Sequence, residues 1–165
     1  MNQTLGTDVC ISEAIEKYSN MIRRICFLNL KNMADIEDIF QEVFLKYLLN
    51  YDSFQNEQHE KAWLCRVTFN QCKDFHKNFW HSRVSSIENL EIPYESQEQS
   101  QLIDSVLALP PNLKQVIYLH FYEGMNIPEI AALMNKNINT VYTNLRRAKA
   151  RLKSELKEDY FNGML

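Results

Sequence analysis

The groups best suited to recognition chemistry lie between residues 140 and 151. Thr140, Thr143 and Asn144 are short side chains able to hydrogen-bond at base edges, and Arg146, Arg147, Lys149 and Arg151 follow closely behind them. Cationic groups at that density attract phosphates, while short polar groups beside them can reach the base edges that carry sequence information. No Gly-rich phosphate loop, His-Glu-x-x-His or nucleophile elbow accompanies them, so binding is expected rather than catalysis. A metal-dependent alternative would use Cys65, Cys72 and His76, which fall at i, i+7 and i+11 on one helical face. Buried free cysteine in a reducing compartment is the commoner outcome of such spacing, and the expectation is no metal and no cofactor.

Those polar groups need a rigid mount, and a helix-turn-helix pattern supplies one. Asn126, Pro128 and Glu129 form a helix start: a capping amide, a proline in the first turn and a glutamate at N3. Ile127, Ile130, Ala131 and Met134 then give a short helix one apolar face. Asn135, Lys136 and Asn137 break the pattern, and a second helix is expected over 137–156. Its buried stripe is Val141, Leu145, Ala148, Leu152 and Leu156. Thr140, Asn144, Arg147 and Arg151 flank that stripe on one side, with Tyr142, Arg146, Lys149, Lys153 and Lys157 on the other. A charged flank alone is equally an ordinary solvated face, but the short helix and turn before it favour DNA.

Overall charge conceals this region. The 165-residue chain has net charge -3, yet residues 105–157 carry eight basic against three acidic groups, and residues 85–104 carry five acidic and none basic. Segregated charge of this kind makes the total a poor guide to partners. With 3 Gly, 4 Pro and long stretches of helical periodicity, the chain reads as all-α. No apolar run approaches the roughly 20 residues of a membrane span, and no signal segment opens the chain, so a soluble cytoplasmic protein is expected.

A second pattern lies in the N-terminal half. Ile36, Ile39, Phe40, Val43, Phe44, Tyr47 and Leu48 describe an amphipathic helix opened by Asp35. Glu37, Asp38, Gln41 and Glu42 form a polar patch on its other side, which is either a solvated face or a docking site. An earlier helix over about 12–31 offers Ile15, Tyr18, Ile22, Ile25 and Cys26 for packing. After a loop at 51–56, a third helix over about 57–81 interleaves aromatic, basic and amide residues, ending near Trp80, His81 and Arg83. Rings beside positive charge suit single-stranded nucleic acid, although most rings at helical spacing are core. Trp63, Arg66, Asn70, Lys73 and Lys77 can share one exposed face. The expected organisation is two small helical domains, 1–84 and 102–165, joined by a polar acidic linker at 85–101.

Taken in order, DIEDIFQEVFLKYL, DSF, AWLCRVTFNQCKDFHK and LPPNLKQVIYLHFYEGMNIPEIAALMNKNINTVYTNLRRAKARL resemble a bacterial RNA polymerase sigma factor of the extracytoplasmic-function group. The resemblance runs from about residue 12 to 156 and leaves out only the linker and the termini. It implies that Asp38, Gln41 and Glu42 dock on core RNA polymerase. It also implies that Phe54 and Asn56 shape a pocket for a flipped base of the promoter's minus-ten element. On this reading Arg66 and Asn70 meet the non-template strand, and Lys73 and Lys77 hold its backbone. Thr140, Thr143, Arg146 and Arg147 keep the character expected for reading the minus-thirty-five element as duplex DNA, with His120, Tyr142 and Asn144 completing the set. The family often has lysine or arginine at the positions of Tyr142 and Asn144, and arginine at that of His120, so fewer phosphate contacts are expected. Control by an anti-sigma factor is implied as well. Two other classes stay open at this level: a stand-alone dimeric helix-turn-helix regulator and a metal-dependent enzyme.

Overall fold

The computed structural model describes residues 2–79 and 97–156, with side chains described over 9–78 and 101–156. Trp80, His81, Arg83, the segment 85–96 and Lys157 lie outside the described residues. The chain divides into two units, Met1–Leu90 and Glu91–Leu165, and every regular element among the described residues is helical.

In the first unit α1 (Asn2–Asn29), α2 (Met33–Leu48) and α3 (Glu57–Phe79) pack against one another in all three pairings. Ala14, Tyr18, Met21, Ile22, Ile25 and Cys26 form the inward face of α1. Ile15, expected on that face, is exposed, because Ala14 takes the inward position at that turn and leaves Ile15 on the rim. Asn32, rather than Asp35, caps α2: its extended backbone (φ -131°, ψ 132°) lets Oδ1 accept from the N–H groups of Ala34 and Asp35. Asp35 sits in the first turn, where a carboxylate suits the helix dipole, although partial burial and then Asp38 push its carboxyl up from the usual range. Ile36, Ile39, Val43, Phe44 and Tyr47 are buried as the periodicity requires.

One carboxylate fastens the three helices together. Glu60 on α3 accepts from the Tyr18 hydroxyl of α1 at 2.8 Å and from the Tyr47 hydroxyl of α2 at 2.5 Å. Both tyrosines are otherwise buried, so each hydroxyl finds in Glu60 the partner that burial demands. Thr68, fully buried in α3, donates to the Leu64 carbonyl at 2.7 Å.

In the second unit α4 (Gln97–Leu107) starts inside the stretch expected to be linker, so residues 97–101 are helical. Leu102, Ile103, Val106 and Leu107 are half-buried, an apolar stripe that the polar composition upstream obscured. Pro111 opens α5 (Pro111–Ile117) at a position where a missing N–H costs nothing. The helix then widens into a π-turn over Tyr118–Tyr122, where the Glu123 N–H reaches the Tyr118 carbonyl at 3.2 Å. Two further helices, α6 (Ile127–Met134) and α7 (Ile138–Glu155), complete the unit.

The link between α6 and α7 follows from three asparagines. Asn126 closes a reciprocal box with Glu129: its Oδ1 accepts from the Glu129 N–H at 2.9 Å, and Glu129 Oε2 accepts from the Asn126 N–H at 2.8 Å. Asn135 ends α6 in the left-handed region (φ 50°, ψ 51°), which turns the chain sharply while the Lys136 N–H satisfies the Ala131 carbonyl at 2.9 Å. Asn137 then caps α7, its Oδ1 accepting from the Asn139 N–H at 2.8 Å. Val141, Leu145, Ala148, Leu152 and Leu156 are all buried.

Two outcomes are expected. Burial and the Glu60 hydrogen bonds raise the Tyr18 and Tyr47 phenols above their ordinary value of 10.0. The folded state therefore holds those protons more tightly than the unfolded chain, so the contribution is intact below pH 10 and is lost as pH rises past it. Urea unfolding followed by Trp63 and Trp80 fluorescence, both within residues 1–90, should show stability falling above that pH. The fall should be shallower in the Tyr18→Phe/Tyr47→Phe variant, and an unchanged slope would refute the assignment. At the turn, Asn135→Gly should be tolerated while Asn135→Val lowers stability by about 1 to 2 kcal/mol, because a β-branched residue resists the left-handed region. Thermal melts followed by circular dichroism distinguish the two, and equal melting temperatures would count against strain at this position.

Candidate nucleic-acid interface

Once the apolar stripe of α7 is buried, the rest of the helix faces water. Ile138, Asn139, Thr140, Tyr142, Arg146, Arg147, Arg151 and Lys153 are exposed, and Thr143 is half-buried. Lys149 is half-buried with Nζ 5.2 Å from the Phe121 ring centroid, a cation–π contact that keeps its charge on the surface while its stem packs. Asn144 departs from expectation. It is only 7% exposed, because it follows Val141 by three residues and precedes Ala148 by four, which places it within the inward sector. Asn144 is therefore not part of the exposed face of α7.

His120 lies on the π-turn, with Nδ1 2.9 Å from the Met125 carbonyl oxygen. A carbonyl can only accept, so Nδ1 carries the proton. Periodicity did not single out Ile138 and Asn139. They are the two residues that follow the capping Asn137, in the exposed first turn of α7.

In the first unit Asp38, Gln41 and Glu42 project from the outer face of α2 and are exposed. Glu37, grouped with them in the sequence, serves the fold instead. Its carboxylate accepts from Arg23 Nε at 3.1 Å and Nη2 at 3.4 Å, and that guanidinium lies 4.0 Å from the Phe40 ring centroid. Leu45 and Leu49 extend the outer face and are 57% and 83% exposed. Their spacing of four and eight residues from Gln41 was the available signal.

Arg66, Asn70, Lys73 and Lys77 line one exposed side of α3, with Lys77 Nζ 3.7 Å from Asp74 Oδ1. Trp63, expected to share this side, is half-buried against Phe54, with ring centroids 5.2 Å apart. Phe54 also stacks on Tyr47, centroids 5.7 Å apart and 17° from parallel, and its edge meets His59. Asn56 Oδ1 accepts from the His59 N–H at 2.8 Å. Phe54 and Asn56 thus build the loop itself: the phenyl ring anchors it to α2 and α3, and the Asn56 amide oxygen caps α3.

The suggested metal ligands do not converge. Cys65 is buried with Sγ 3.5 Å from Met21 Sδ, and Cys72 is buried beside Cys26, whose hydrogen bond together with burial raises the Cys72 thiol. His76 Nε2 lies 2.6 Å from the Asn29 carbonyl oxygen. Among the described residues no three His, Cys, Asp or Glu side chains gather into a metal-binding group, and no helix is long and apolar enough to cross a membrane.

Both halves of the chain match known protein families. Residues 14–81 match the sigma-70 region 2 model and residues 99–152 match the sigma-70 region 4 model. The RNA polymerase sigma factor SigV of Bacillus subtilis (strain 168) is 29% identical over 164 residues, covering 96% of this chain and 99% of that one. The ECF RNA polymerase sigma factor SigW of the same organism is 26% identical over 172 residues, covering 93% and 92%. Among solved structures, the sigma factor RpoE in complex with the anti-sigma factor NepR, from Bartonella quintana, shares the fold. Its TM-score is 0.74 at 20% identity, over 90% of this chain and 97% of that one. With region 2 carrying the exposed α2 and α3 faces and region 4 carrying the basic helix-turn-helix, the chain belongs to the sigma-70 family of RNA polymerase sigma factors, in the extracytoplasmic-function group.

Proposed function

We propose that the two units divide promoter recognition while the outer face of α2 holds the chain on core RNA polymerase. The protein is a non-catalytic initiation factor that directs the polymerase to promoters. The observation that carries the assignment of roles is the presence, on one chain, of an exposed Asp38, Gln41 and Glu42 face and a separate basic helix-turn-helix. A stand-alone regulator has no use for the first, and its target would be duplex DNA alone.

Residues 1–84 are assigned to polymerase docking and the minus-ten element. Arg66, Asn70, Lys73 and Lys77 supply charge and an amide along one side of α3, suited to a displaced strand. The loop of Phe54 and Asn56 forms the wall against which a flipped base is held. Extracting a base costs a few kcal/mol, so a surface that traps it lowers the cost of melting. The second unit reads the minus-thirty-five element with α7 in the major groove. Thr140, Thr143, Arg146 and Arg147 make the principal contacts, and His120 and Tyr142 lie at their margins. The place of action is the cytoplasm, where the polymerase works. Control falls to an anti-sigma factor that covers the docking face, the partner class seen on the B. quintana protein of the same fold.

Transcription from a genomic promoter library, with the full chain added to core polymerase, tests this reading. Promoter-specific transcripts are expected. Their absence, together with tight duplex binding by the chain alone, would favour a free-standing regulator. Gln41→Ala/Glu42→Ala should weaken core binding by about tenfold while duplex binding is unchanged; a matched loss of both would refute the docking role. Asn70→Ala should slow promoter opening by about tenfold with little effect on the closed complex. Equal effects on both steps, in stopped-flow fluorescence, would count against base capture.

A further inference from the structure

Ile138 and Tyr142 are large side chains left in water, 52% and 59% exposed, on a helix whose inward face is otherwise closed. Val141 and Ala148 are fully buried and Leu145 is 5% exposed, so loose packing does not explain them. Four residues apart, they are neighbours on one face, and Arg146 continues the same row a turn further on. The row starts at the capped N-terminal turn of α7, the end that a recognition helix inserts into the major groove. Exposed Arg146, Arg147, Arg151 and Lys153 supply the charge that seats this helix against phosphates. The partner suited to an apolar pair at that place is set by the groove itself. Among the four bases only thymine presents a methyl group there, at C5, whereas guanine and adenine present polar edges that Ile138 cannot satisfy.

We infer that Ile138 and Tyr142 are specificity-determining residues that contact thymine C5-methyl groups in the duplex upstream element, giving the chain a preference for A·T pairs at two positions. This rests on the sigma-factor reading of α7, moves Tyr142 from the margin of the contact face onto a base, and adds which base the helix selects there. The contact is made by the isoleucine side chain and the face of the tyrosine ring, with the flanking arginines holding the register on phosphates.

The test uses holoenzyme formed from the full chain and core polymerase, with promoter duplexes recovered from a genomic library. Each thymine of the upstream element is replaced in turn by deoxyuridine, which removes the methyl and leaves base pairing intact. Closed-complex affinity should fall about fourfold at each contacted position, the value of one buried methyl. Ile138→Ala and Tyr142→Ala should each abolish the dependence at one position and keep normal core binding. Wild-type holoenzyme that tolerates deoxyuridine throughout the upstream element overturns the methyl contacts and leaves the sigma reading standing. Holoenzyme with no promoter-dependent binding of any duplex overturns both.

Discussion

Val141, Leu145, Ala148, Leu152 and Leu156 must leave water together, and that requirement sets the rotation of α7 about its own axis. Everything the helix can offer a partner follows from that angle. The arginines are turned outward, Ile138 and Tyr142 are left on the surface, and Asn144 is drawn in among the apolar residues despite its polarity. The same constraint acts in the first unit. Burying Ile36, Ile39, Val43, Phe44 and Tyr47 turns Asp38, Gln41 and Glu42 outward as a set. Each exposed face is the complement of a core stripe.

Rotation alone does not hold a face steady, and the polar ties do that work. Glu60 joins α1 and α2 to α3 through two tyrosine hydroxyls, and Arg23 with Glu37 joins α1 to α2 at the surface. A carboxylate satisfied by two buried donors contributes more than an exposed ion pair such as Lys17 with Glu57, because its partners would otherwise lie unsatisfied in the core. In the second unit the capping box at Asn126 and the left-handed Asn135 fix where α6 starts and stops, and so where α7 begins.

Division of labour between two units suits the chemistry of a promoter. A duplex is read from a groove, which needs one well-oriented helix and charge for the phosphates. A melted strand offers ring faces and unpaired edges, which need stacking surfaces and amides beside cations. On the proposed assignment, the exposed residues of α7 answer the first need, and the α3 side with its aromatic loop answers the second. The family to which the chain belongs consists of non-catalytic initiation factors, which lend specificity to an enzyme they do not contain.

Periodicity and capping chemistry made most of the architecture legible in advance. The α6 and α7 stripes, the Asn126 cap with Glu129, the break at Asn135 to Asn137 and the α2 amphipathic face are local features, because a helix of period 3.6 writes its buried face directly into the chain. The start of α4 at Gln97 was hidden by its polar first turn, and the cap of α2 by three residues of offset between Asn32 and Asp35. What only tertiary structure decided was how each polar group is spent. Glu37 goes to Arg23, Asn56 to the α3 cap, Phe54 to the Tyr47 and Trp63 rings, His76 to a backbone carbonyl, and Asn144 to the interior. Those outcomes depend on neighbours distant in sequence, or on small differences in angle at the edge of a buried stripe, and residue type and spacing alone do not carry that information.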